Sequence, residues 1–465
     1  MPAPADAAVR FPQVDPRTSE VFAEYAAMTE AELQAAVAAA DAAFRQWRRV
    51  PAPERVQALA ALAELLRGRA EEAAALMQRE MGKPLPQGRA EVAKCAYLVD
   101  WYAQHGAGFL KDAEHPPLPG FSRSYVTYQP LGVILSIMPW NFPFWQAVRM
   151  AVPTMMAGNA VLLKQAPNCF GSALLLEEIV VAVPGMPKGL FKSLIVDVPQ
   201  VAAVLELPQV RGVALTGSER AGRAVASKAG SLLKKAVVEL GGSDGYAILA
   251  DANLDVAAEA VVNGRILNTG QVCISPKRAI VDQAVKAEFE QKVLEKLSKK
   301  TYGVDFGPMV HKQARDEVAG QVVACQEAGA RLLAGGVDMP APAEDSGGAY
   351  LAPTVLTDVK PGMPAFDKEI FGPVISIVEA ENEQHAVELA NQSAFGLGGA
   401  VFTEDRDKGE RIAAGEIEAG MCFVNDFVRS DPSLPFGGIK NSGLGRECSM
   451  FGMLEFVNVK TICIK

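Results

Sequence analysis

The chain has 465 residues, 49% of them apolar and 21% charged, an ordinary globular composition that excludes extended disorder and leaves room for about three domains. Its 54 Asp plus Glu outnumber 45 Lys plus Arg, so the net charge of -9 has the wrong sign for following a phosphate backbone, and nucleic acid is not an expected partner. The longest stretch resembling a membrane span, residues 150–163, is short of the about 20 residues a membrane helix needs and contains Pro153, Gly158 and Asn159.

Residues 1–6, Met-Pro-Ala-Pro-Ala-Asp, show neither a basic nor an apolar region of a secretory signal, and a cytoplasmic location is the expectation. Thr29-Glu30-Ala31-Glu32 has the form of a capping box, followed by Leu33, Val37, Ala40, Phe44 and Trp47 at steps of four and three, which predicts an amphipathic helix. Pro53 stands where a helix begins, and Val56, Leu59, Leu62 and Leu66 predict a second.

From Leu131 onward short apolar runs alternate with helical segments. Strands are predicted at 133–138, 160–164, 191–196, 212–215 and 236–240, with helices near 144–157, 171–183 and 219–229 and a short one before 212. Repeated βαβ units predict an α/β fold with a parallel sheet covered on both faces, whose ligands bind beyond the carboxyl ends of the strands. Those ends hold Trp140 and Asn141, Lys164, residues 216–218, and Glu239 with the glycines after it. A second α/β unit follows, opening with a strand at 246–250, a helix around 254–267 and the turn Asn268-Thr269-Gly270-Gln271-Val272-Cys273. Residues 340–348 read as a surface loop, and no internal repeat is visible.

The seven cysteines have no Cys-x-x-Cys and fit neither a disulfide framework nor a zinc knuckle; the four histidines have no metal-ligand spacing, so no metal is expected. Cys273 follows a Thr-Gly turn where free N–H groups would stabilise a thiolate, against the alternative of a structural thiol. Glu239 ends a buried strand, a costly place for a carboxylate without a role or a partner. Asn141 lies between Pro139 and Pro143, which would aim its amide as an oxyanion donor requires; the alternative is a helix cap. Gly217-Ser218-Glu219-Arg220-Ala221-Gly222 spans a strand-to-helix junction able to hold a pyrophosphate, but lacks the Lys-Ser/Thr of a triphosphate loop. Gly241-Gly242-Ser243-Asp244-Gly245 matches the nucleophile elbow of serine hydrolases, yet a strand is predicted after it where that motif needs a helix.

Together, Pro-Trp-Asn-Phe-Pro at 139–143, Lys164, Gly217-Ser218 with Gly222, Glu239-Leu240-Gly241-Gly242 and Gly270-Gln271-Val272-Cys273 resemble the aldehyde dehydrogenase superfamily. Glu369-Ile370-Phe371-Gly372-Pro373 and Pro435-Phe436-Gly437-Gly438 extend the resemblance, which runs from about 11 to 460. Residues 90–94, 100–106 and 430–432 are most similar to the shorter bacterial succinate-semialdehyde dehydrogenases. The resemblance implies a Rossmann-type cofactor domain (1–111 and 131–240), an α/β catalytic domain (241–445) and a β oligomerisation arm (112–130 and 446–465). A homodimer or homotetramer is implied as well.

The resemblance further implies NAD(P)-dependent oxidation of an aldehyde, with Cys273 as nucleophile, Asn141 and the Cys273 N–H as oxyanion donors and Glu239 as the base that activates water. Trp140, Lys164, Gly217, Ser218, Gly222, Glu369 and Phe371 would hold the cofactor. Residues 164–168 contain no acid to repel a 2′-phosphate, and many NAD-preferring relatives carry Glu where Pro167 stands, so both NAD and NADP are expected to serve. Arg149 and Ser430 match groups that bind the carboxylate of succinic semialdehyde; a second arginine of some relatives is replaced by Leu267, and a neighbouring-cysteine switch by Ser275. The alternatives are another small or medium aliphatic aldehyde and, from other classes, a serine hydrolase using Ser243 or a non-catalytic binding protein.

Overall fold

Thr29 Oγ1 accepts a hydrogen bond from Glu32 N and Glu32 Oε2 one from Thr29 N, completing the capping box that starts the helix Glu30–Trp47. The structure is a computed structural model and describes residues 9–465. Residues 1–8, on which the expectation of no secretory signal rests, lie outside the described residues. The five apolar residues predicted to share a face of that helix are all buried, and the second helix, Ala52–Gly68, buries Leu59, Leu62 and Leu66.

The first helix packs on the first of two large sheets, and the second packs on the helices of the same unit. The order of this sheet is Gly443–Leu444, Lys235–Glu239, Val210–Thr216, Val133–Met138, Ala160–Gln165, Phe191–Ser193. The five strands from the βαβ region are parallel, in the Rossmann manner, with apolar side chains on both faces. The predicted strand at 191–196 is shorter, since pairing stops at Ser193. The helix Pro143–Met156 crosses between sheet and outer helices and is buried along its whole length, which is why its sequence is apolar without a polar stripe.

The second sheet has seven strands in the order Arg331–Gly336, Ala352–Thr357, Val374–Ala380, Arg278–Asp282, Gly245–Ile248, Gly398–Phe402, Met421–Val424. All are parallel except the edge strand Arg331–Gly336. A third, antiparallel sheet joins Val457–Ile464, Arg123–Pro130 and Ala113–His115 and projects its exposed Val459 and Ile464.

Two features depart from the sequence reading. The segment Gly443–Leu444, assigned to the second unit, pairs antiparallel with Lys235–Glu239 at the edge of the first sheet. Within 446–465, assigned to the arm, only Val457–Ile464 lies in the arm sheet; the helix Ser449–Leu454 sends Met453 into the first unit's core, with Cys448 beside it. The first is a backbone pairing and the second an apolar contact, both between segments distant in the chain, which periodicity does not register. Among the described residues no helix is long and apolar enough to cross a membrane.

Candidate active site

The bend after Val133–Met138 is held from outside its own segment. Lys83, fully buried and ion-paired with Glu91, donates to Asn141 O at 2.8 Å. Glu91 in turn accepts from Phe144 N and Trp145 N at 2.9 Å each, doing for this helix what an N-cap side chain does elsewhere. The N-cap position is Phe142, so Asn141 is not the cap. Its amide is free for another task, and Nδ2 donates to Gln271 O at 3.0 Å, two residues before the cysteine.

Cys273 follows three consecutive left-handed residues, Asn268 (φ 50°), Thr269 (φ 57°) and Gly270 (φ 71°). Two of them are not glycine, so the turn stores backbone strain that its surroundings must offset. Asn268 Nδ2 donates to Asn141 O at 2.9 Å, and Thr269 exchanges hydrogen bonds with Gly307. Only glycine fits at 270, where a Cβ would lie 2.1 Å from Gly372 O. Beneath the turn the buried Lys277 donates to Val272 O and Cys273 O and stands 3.0 Å from Glu369 Oε1.

Two cavities open onto Cys273. One, of about 210 Å³, is lined by Lys94, Trp145, Arg149, Leu267, Phe427, Ser430 and Phe436 among others. The other, of about 270 Å³, is lined by Trp140, Asn141, Thr216, Gly217, Ser218, Gly241, Glu369 and Phe371. Cys273 and Gln146 line both. Although Cys273 is reached from both cavities, the protein around it withdraws enough water to push its thiol up to about 11, with Lys277 and Arg149 pulling the other way. The sequence expectation of a stabilised thiolate is therefore corrected: desolvation outweighs the nearby positive charge.

Glu239 is buried, with neither side-chain oxygen hydrogen-bonded, and burial together with the neighbouring Glu447 raises its pKa well above the usual carboxylate range. It lines neither cavity; the next residues, Leu240 and Gly241, line the second. In that second cavity Trp140 and Phe371 meet edge to face at 5.7 Å. Ser218 caps the helix Glu219–Ser231, and Glu369 accepts from Gly242 N at 3.2 Å. Lys164, half-buried, has a pKa lowered by burial to about 8 and lines neither cavity. Gly222 also lies outside them and is a packing glycine, since a Cβ there would come within 2.4 Å of Leu240 Cδ2.

In the first cavity Arg149 is ion-paired with the buried Glu447, and Arg149 sits 4.3 Å from the Phe436 ring centroid. The sequence reading assigned it no counter-ion, because Glu447 is almost 300 residues away. Ser430 Oγ accepts from Lys94 Nζ at 2.8 Å. Lys94 was missed, although Gln87, Ala90, Glu91 and Lys94, all lining this cavity, recur at helical spacing on Leu85–Phe109.

The hydrolase alternative fails on geometry. Ser243 is 3% exposed and leads into the strand Gly245–Ile248, His311 Nδ1 accepts from Ala314 N at the start of a helix, and His385 Nδ1 accepts from Glu381 N. Among the described residues no cluster of His, Cys, Asp or Glu could hold a metal ion.

Residues 4–462 match the aldehyde dehydrogenase family. The NAD(P)+ succinate semialdehyde dehydrogenase Sad of Escherichia coli is 42% identical over 97% of this chain and 96% of its own. Succinate-semialdehyde dehydrogenase [NADP(+)] 1 of Mycobacterium bovis is 42% identical over 97% of this chain and 99% of its own. The crystal structure of succinic semialdehyde dehydrogenase from Streptococcus pyogenes in complex with NADP+ superposes with a TM-score of 0.92 at 35% identity, covering 97% and 99% of the two chains. With a matched pattern spanning nearly its full length, a cysteine turn and an asparagine bend tied together at the end of a Rossmann-type sheet, the chain belongs to the aldehyde dehydrogenase family.

Proposed function

We propose that the protein oxidises succinic semialdehyde to succinate with NAD or NADP. The observation that carries this is the placement of Cys273 at the junction of two cavities, one aromatic and cationic, the other built from strand ends and a helix N-terminus. The named relatives, described as succinate-semialdehyde dehydrogenases, support the choice of substrate.

The second cavity fits a nicotinamide cofactor. Thr216 Oγ1 is buried without a hydrogen-bond partner, Gly217 and Gly241 keep the walls open, and the N-terminus of Glu219–Ser231 favours a phosphate. Trp140, Gly217, Ser218, Glu369 and Phe371 would hold the cofactor there, with Lys164 at its adenosine end and Gly222 seating the helix. When bound, the cofactor accepts the hydride that the substrate carbon gives up.

The Cys273 thiol gives up its proton to water in the cavities that reach it, the thiolate attacks the aldehyde carbon, and Asn141 Nδ2 with the Cys273 N–H stabilises the oxyanion formed. Loss of hydride converts this thiohemiacetal to a thioester on Cys273. Glu239 takes a proton from water as the water adds to the thioester carbonyl; the C–S bond breaks, freeing the acid and the thiol. We place the substrate's carboxylate at the Arg149 and Ser430 end of the first cavity. The first unit (1–111, 131–240, with 443–454 returning to it) would serve the cofactor, the second (241–442) catalysis, and the antiparallel sheet of 113–115, 123–130 and 457–464 the assembly of a homodimer or homotetramer.

The test is an absorbance assay of reduced cofactor over a panel of aldehydes with NAD and NADP. Succinic semialdehyde should be the best substrate; a neutral aldehyde of equal or better efficiency would overturn the substrate assignment.

A further inference from the structure

The first cavity contains three cations, and two of them have an ion-pair partner. Arg149 has Glu447, although its buried Nε and Nη2 make no hydrogen bond, and Arg429, exposed at the mouth, has Asp426. Lys94 has no ion-pair partner among the described residues; its Nζ is held 4.3 Å over the Trp145 ring and donates to Ser430 Oγ. Burial and the repulsion of Arg149 bring its pKa down to about 8. A cation in this position lacks an anion, and the attraction of one would offset both unfavourable influences.

The Ser430 hydroxyl is arranged to help. Its oxygen is already occupied by the Lys94 ammonium, so its own proton is left to donate, and two further N–H groups of Lys94 remain. The pair thus offers a charge and several donors to one carboxylate, without taking anything from Glu447.

We infer that Lys94 recognises the carboxylate at the far end of the substrate together with Ser430 and Arg149, supplying the one charge there that no anion of the protein answers. This rests on the succinic semialdehyde reading. It makes Lys94 a specificity-determining residue and accounts for an anionic substrate in a chain with Leu267 lining the same cavity.

The experiment compares kcat and KM for succinic semialdehyde and butanal in the wild type, Lys94→Met, Lys94→Arg and Ser430→Ala. Lys94→Met should lose at least about thirtyfold in kcat/KM with succinic semialdehyde, mainly through KM, and only about threefold or less with butanal. Lys94→Arg should recover most of the loss, and Ser430→Ala, a small change, should show the same selectivity at lower amplitude. Succinate, assayed as a competitive inhibitor of butanal oxidation, should weaken in parallel. Equal losses for the two aldehydes, or a semialdehyde preference undiminished in Lys94→Met, would overturn the inference alone. A wild type with no preference for the semialdehyde would instead remove the substrate reading, and the inference with it.

Discussion

Arg149 and Glu447 meet as an ion pair with side chains 2% and 6% exposed, joining the helix after the Asn141 bend to the segment that precedes the last helix. Breaking one partner of such a pair strands the other charge in a medium that cannot solvate it, at a typical cost of about 3 to 5 kcal/mol. Arg149→Met should therefore lower the free energy of unfolding by about that amount in urea titrations. Unchanged stability would mean that the pair does not hold these two segments together.

The raised Cys273 thiol has a directly measurable consequence. The thiolate is the reactive form, so below about pH 11 its fraction should rise about tenfold per pH unit. Alkylation of Cys273 by iodoacetamide in the cofactor-free enzyme, followed by peptide mass spectrometry, should accelerate accordingly between neutral and alkaline pH. A rate already flat at neutral pH would mean that Lys277 and Arg149 outweigh burial. Cys273→Ala should abolish dehydrogenation and leave cofactor binding largely intact.

Glu239→Gln removes the proposed base while keeping the shape of the side chain. A burst of reduced cofactor followed by slow turnover is expected in stopped-flow traces, because Glu239 would act on the water that hydrolyses the thioester, whereas the Cys273 thiol loses its proton to water before acylation. Loss of the burst would give Glu239 another role.

Asn141→Ala should cost about 3 kcal/mol of transition-state stabilisation, read from kcat/KM, by the usual worth of one oxyanion donor. Asn268→Ala provides the contrast: it removes the bond to Asn141 O but leaves the donor, and should cost less. Equal losses would mean that the joined bends, and not the amide, carry the effect.

Pro167, exposed at the end of the strand bearing Lys164, should become a discriminator when replaced by glutamate. By the resemblance to NAD-preferring relatives a carboxylate there would face the 2′ position, so Pro167→Glu should lower kcat/KM with NADP and favour NAD. An unaltered ratio would place cofactor choice elsewhere.

The βαβ region was legible because each element satisfies its local signal: a Thr29 capping box, apolar runs for strands buried on both faces, and prolines at helix starts. The nucleophile, the bend and the strand-end carboxylate were legible through motifs. What escaped lies in pairings between distant segments. Nothing near Arg149 announces Glu447, nothing near Gly443–Leu444 announces the edge of Lys235–Glu239, and Lys94 looks like any helical lysine until Trp145 and Ser430 enclose it. The state of Cys273 escaped for a related reason. A thiol pKa is set by everything packed around it, and the local turn reports only one part of that sum.

The return of Gly443–Leu444 and Ser449–Leu454 to the first unit bears on how the chain is made. During synthesis the strands at 133–239 emerge early and can begin to pair, but one edge of their sheet and part of their core are supplied by residues 443–454, made long after them. The first sheet is thus begun early and completed late. A nascent chain stalled before residue 443 would hold an open strand edge at Lys235–Glu239, which ends in the proposed base, and activity should appear only after the later segment is released.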